Sequence, residues 1–115
     1  MSQKESVKVA KFAFRVELKA KPGKEAEVEA LIKQGAVMAS AELRLVSWYG
    51  LKEEERPGVY GIVDTFDDEV GREEHLKGAL AKALMAKAED LFSEAPKIHR
   101  LHVIAEKKVG LALPG

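Results

Sequence analysis

The hydrophobic period of this chain changes along its length in an order that admits few folds. From Val7 to Leu18 the period is two, with Phe12, Phe14, Val16 and Leu18 on one face and Lys11, Ala13, Arg15 and Glu17 on the other. Alternation among aromatic and branched residues predicts a strand. Pro22-Gly23 then predicts a turn. From about Lys24 to Ser40, Val28, Leu31, Ile32, Gly35 and Met38 recur at the spacing of an amphipathic helix. Glu25, Glu27 and Glu29 lie in its first half, where the helix dipole favours acid. Alternation returns from Leu43 to Leu51, with Leu43, Leu45, Ser47 and Tyr49 on one face and Arg44, Val46 and Trp48 on the other. A charged loop ends in Pro57-Gly58 and leads into Val59 to Phe66, which completes a hairpin. Asp67 or Asp68 is placed to cap a second helix. Its stripe is Leu76, Leu80, Ala83, Leu84 and Leu91, with a break near Gly78. Pro96 ends the helical region, and Lys97 to Lys107 reads as a fourth strand.

Strand, helix, strand, strand, helix, strand is the split-βαβ order of an α+β, ferredoxin-like fold with an antiparallel sheet. One such domain spans residues 7–108, after a loose lead-in over 1–6 and before an apolar tail over 109–115. Helices on one side leave the other sheet face open, and the fourth strand is apolar on both sides, with Ile98 and Ile104 opposed to Leu101 and Val103. An apolar second face needs a cover, which predicts a homodimer with its sheets face to face.

Composition removes whole classes of function. With no cysteine there is no disulfide framework, thiolate metal site or cysteine nucleophile. Nineteen basic residues balance nineteen acidic ones, so the chain lacks the basic excess of a nucleic-acid module. No apolar run approaches the roughly 20 residues that cross a bilayer. Met1 to Lys11 lacks the apolar region of a signal peptide. A cytoplasmic protein without membrane or nucleic-acid partners is the expectation.

Three stretches carry a family likeness. Lys21-Pro22-Gly23-Lys24-Glu25 follows the first strand, Val63-Asp64-Thr65-Phe66-Asp67-Asp68-Glu69 ends the third, and Glu73-Glu74-His75-Leu76 lies in the second helix. Over roughly residues 10–107 the chain resembles the antibiotic biosynthesis monooxygenase family of the dimeric α+β barrel superfamily. The resemblance implies a homodimer with a pocket between sheet and helices in each subunit. It also implies oxidation of a planar aromatic or quinol by O2 without metal or flavin. The alternative is a non-catalytic binding or stress-related module on the same barrel. A haem-degrading subgroup uses an Asn, Trp and His set, but this chain contains no Asn, and Met85 stands where its haem ligand is expected.

The candidate site residues follow from chemistry and from this resemblance. His75, at the margin of the Leu76 and Leu80 stripe, either faces a cavity and accepts a phenolic proton or is a histidine bonded locally. Trp48 and Tyr60 either stack and orient a planar ligand or pack as ordinary aromatics. Asp64 interrupts an apolar strand face and has Arg15 and Arg44 on neighbouring strands as partners for an ion pair or a polar pocket element. His99 and His102 point to opposite faces and cannot share a metal ion, whereas His99 and His75 are able to meet. The expected set is therefore catalytic His75 with Trp48, Tyr60, Asp64 and His99 around the substrate, and no cofactor or metal.

Overall fold

The computed structural model describes residues 8–107. The lead-in and the apolar tail expected from the sequence lie outside them. The elements are β1 (Phe12–Lys19), α1 (Glu25–Ala39), β2 (Leu45–Lys52), β3 (Val59–Phe66), α2 (Glu69–His75), α3 (Ala79–Leu91) and β4 (Lys97–His102). The strands form one antiparallel sheet in the order β2-β3-β1-β4. This is the α+β, ferredoxin-like arrangement expected from the order of periods. The two interior strands are those with the cleanest alternation.

Local chemistry accounts for the turns and caps. Gly23 and Gly58 both have positive φ (86° and 84°), a conformation that glycine adopts without steric cost. Each follows the proline that predicts its turn. Asp68, rather than Asp67, caps α2, accepting a hydrogen bond from the Gly71 N–H at 2.7 Å. The predicted break at Gly78 divides the second helical region, and Gly78 itself is the N-cap of α3. Two expected strands are shorter than their periodic runs: β1 begins at Phe12 rather than Val7, and β4 ends at His102 rather than Lys107.

The core lies between the sheet and the helices. Phe14, Val16 and Leu18 of β1 face Tyr60, Ile62 and Phe66 of β3, with Val28 and Ile32 of α1 and Leu91 of α3 above them. Full burial of a side chain the size of Phe14 or Phe66 contributes about 1.5–3 kcal/mol. The opposite face carries Arg15, Val63, Tyr49, His99 and Leu101, with Tyr49 61% exposed.

One expectation fails within β2. The strict alternation from Leu43 puts Leu45 and Trp48 on opposite faces. The structure shifts register between Leu45 and Ser47, so that Leu45 lies opposite Phe66 while Trp48 lies opposite Asp64. This β-bulge absorbs one extra residue and turns both Leu45 and Trp48 toward the helices. Gly50 follows on the same face, where a Cβ would stand 2.2 Å from the Ile32 Cγ2, so the close approach of α1 to β2 requires glycine there.

Candidate functional site

His75 is the last residue of α2, and the Asp68 cap fixes where that short helix begins. Its ring turns under the sheet, with centroids 5.2 Å from Phe66 and 6.4 Å from Phe14. Both ring nitrogens are engaged by carboxyl groups. Nδ1 lies 2.6 Å from the Glu42 Oε1, and Nε2 lies 3.1 Å from the Asp64 Oδ2. His75 and Asp64 are buried, at 8% and 2% exposure. Burial by itself would push the His75 pKa down, but hydrogen bonds from the ring to Asp64 and then to Glu42 outweigh it and hold the imidazole above its ordinary 6.5. The ring is a proton held between two acids, with no nitrogen left to accept one from a ligand.

One turn earlier, Arg72 is also buried. Its guanidinium stands over the Phe12 and Phe14 rings at 5.1 and 5.6 Å and donates to the Leu101 carbonyl at 3.1 Å. Glu73 bonds both Arg72 and Arg100. The inner side of α2 is thus tied by charge to β3, to β4 and to the loop before β2.

Trp48 belongs to a different environment. A cavity of about 220 Å³ opens between α1, α3 and the sheet, walled by Leu31, Gly35, Met38, Trp48, Ile62, Leu80 and Leu84 among others. Gly35 makes room for the indole, since a Cβ there would stand 3.2 Å from the ring. The Trp48 Nε1 is buried and has no hydrogen-bond partner among the described residues, and the same holds for the Oδ1 of Asp64, its cross-strand neighbour. A second, more open groove of about 490 Å³ lies against Glu42 and His75 and shares Met38 and Leu80 with the cavity wall.

The five residues singled out from the sequence therefore do not form one site. Asp64 and His75 meet, and Trp48 lies next to them on the sheet. Asp64 pairs with His75 rather than with either expected arginine: Arg44 binds Asp68 at 2.9 Å, and Arg15 lies on the other face. Tyr60 faces the helices, but at the far end, where its buried hydroxyl donates to the Glu29 Oε2 at 2.7 Å. Burial and then that bond raise the phenol to about 12, so Tyr60 neither exchanges protons near neutrality nor reaches the cavity at Trp48. His99 lies exposed on the outer face, opposite Arg15, and does not meet His75.

Glu42 was missed because it stands in a loop, 33 residues before its partner, where no period reports on it. The available signal was Asp64 itself: an acid on a buried strand face needs a polar or cationic partner.

Comparison with solved structures gives the lineage. A protein of unknown function from Nitrosomonas europaea, NE2512, superposes with a TM-score of 0.82 at 39% identity, over 88% of this chain and 96% of that one. The present chain belongs to that protein's family. A candidate antibiotic biosynthesis monooxygenase from Caulobacter crescentus has a TM-score of 0.74 at 21% identity, covering 84% of this chain and 92% of its own. Another from Chloroflexus aurantiacus has a TM-score of 0.69 at 17% identity, covering 88% and 100%. The NE2512 family thus shares the fold of the antibiotic biosynthesis monooxygenases, as the three sequence stretches imply. No protein-family model and no curated protein matches the chain. Among the described residues, no helix is long and apolar enough to cross a membrane.

Proposed function

We propose that the protein is a homodimeric, cofactor-independent monooxygenase that takes a small planar aromatic quinol into the cavity beside Trp48. The observation that carries this reading is the cavity itself, apolar in its walls, bounded by one indole and set between sheet and helices. Ligand pockets for drug-sized molecules span about 300–1,000 Å³. A cavity of about 220 Å³ suits a ligand of one or two fused rings. Fold neighbours named as candidate monooxygenases support the reaction class.

In that reaction an electron-rich quinol supplies all four electrons that reduce O2. One oxygen atom enters a ring carbon, the other leaves as water, and the product is the hydroxyquinone. An apolar cavity admits O2 and strips water from the electron donor, so the protein supplies orientation and desolvation. His75 does not act as base in this account, because both of its nitrogens are already held. The substrate gives its proton to solvent water before it enters. The outer sheet face, with Tyr49, Leu51, Val63 and Leu101, is the surface that a second subunit covers.

Trp48 is the only tryptophan in the chain, so its fluorescence reports on the cavity directly. Titration with 1,4-dihydroxynaphthalene is expected to quench it saturably. An oxygen electrode is expected to show uptake above the blank, with no O2 returned by catalase. Saturable quenching without uptake would favour the second reading, a non-catalytic binding module, which the full engagement of His75 supports. Absence of quenching sinks both.

A further inference from the structure

The apolar cavity has a polar rim on one side. Gln34 of α1 and Lys87 of α3 border it, and both also border an adjoining surface groove of about 430 Å³. Two other lysines of that groove are occupied. The Lys21 Nζ donates to the Glu89 carbonyl at 2.6 Å, and the Lys24 Nζ pairs with the Glu27 Oε2 at 3.2 Å. Lys87 differs from them. Among the described residues its ammonium has neither an ion pair nor a hydrogen bond, and Asp90, three residues on, lines the groove but not the cavity.

We propose that the natural ligand is an aromatic acid, with its rings in the cavity and its carboxylate at the mouth, held by Lys87 and by the side-chain amide of Gln34. A lysine with no partner among the described residues and a glutamine, both bordering an apolar chamber and the groove beside it, match an amphipathic anion. A quinol with no charged substituent satisfies the walls and leaves the rim unused. A fixed negative charge on the ligand, outside the reacting rings, also sets which end enters first. The proposal rests on the reading of the cavity as a ligand site and adds the chemical class of what it takes.

The test uses two ligands of equal shape and different charge, 2-naphthoate and 2-naphthamide, titrated by Trp48 fluorescence at pH 7.5. At low salt the wild-type chain is expected to bind the carboxylate about fivefold more tightly, the scale of one partly solvated ion pair. The preference is expected to shrink as salt rises. Lys87→Met is expected to remove the preference, Lys87→Arg to retain it, and Lys24→Met not to alter it. Equal binding of the two ligands by the wild type, or an unchanged preference in Lys87→Met, overturns the proposal and leaves the cavity reading standing. Failure of both ligands to bind overturns the cavity reading and the anchor with it.

Discussion

The cavity at Trp48 and the ion cluster at His75 lie under the same sheet, share Met38 and Leu80 as a partition, and are opposite in character. One is open space between apolar walls. The other is a filled, charged contact in which His75 is gripped by Glu42 and Asp64. In the sequence the histidine and the tryptophan look like two parts of one site. In the structure the histidine joins α2 to β3 and to the loop before β2 and borders only an open surface groove, whereas the tryptophan walls the apolar cavity between sheet and helices. Both ring nitrogens of His75 are held by carboxyl groups of the same chain, so it offers a ligand no free acceptor.

Several experiments would break or sharpen this contrast. The largest expected effect is on stability. His75→Leu leaves the Asp64 carboxyl group, 2% exposed, without its partner. Breaking a buried pair in this way costs about 3–5 kcal/mol, read as a lower urea midpoint. A loss below about 1 kcal/mol, the scale of an exposed pair, would mean that the cluster is no structural clamp.

Filling the cavity should do the reverse. Ala83→Leu puts a side chain into the space between α1 and α3. It is expected to weaken 1,4-dihydroxynaphthalene binding at least tenfold, about 1.4 kcal/mol, with the urea midpoint nearly unchanged. Unaltered quenching by the ligand would place the binding site elsewhere.

Tyr60→Phe is a smaller test at the far end of the sheet. It removes the bond to Glu29 and is expected to cost about 1 kcal/mol of stability. Quinol affinity should stay the same, because Tyr60 is not part of the cavity wall.

The mildest effect is that of pH. Because the folded state holds the His75 proton more tightly than the unfolded chain does, this stabilisation is complete below pH 6.5 and is lost as pH rises through the folded pKa. The urea midpoint should therefore fall as pH rises above 6.5. Glu42→Gln should reduce that dependence, and His75→Leu should abolish its histidine component.

Much of the fold was legible because it depends on local periods. The inward face of Phe14, Val16 and Leu18, the turns at Gly23 and Gly58, and the break at Gly78 are each set by residues next to one another in the chain. The candidate site was legible only in part. Trp48 and Asp64 were recognisable as unusual, but the bulge after Leu45 decides which way the indole points, and strict alternation along β2 does not announce it. Tyr60 is occupied by Glu29 of α1, and His99 lies on the far side of the sheet from His75. Neither fact has a counterpart in local spacing.

By itself, then, the sequence determined the order of elements, the helix-facing side of the interior strands and the absence of cysteine and asparagine chemistry. Those depend on backbone preference and on composition, which act residue by residue. Only the tertiary structure decided that His75 is enclosed by two acids, that Trp48 borders open space and that Lys87, without a partner among the described residues, borders the same space. Each of those depends on which side chains from distant segments fill one another's hydrogen-bonding capacity and volume, and that is settled only when the helices close over the sheet.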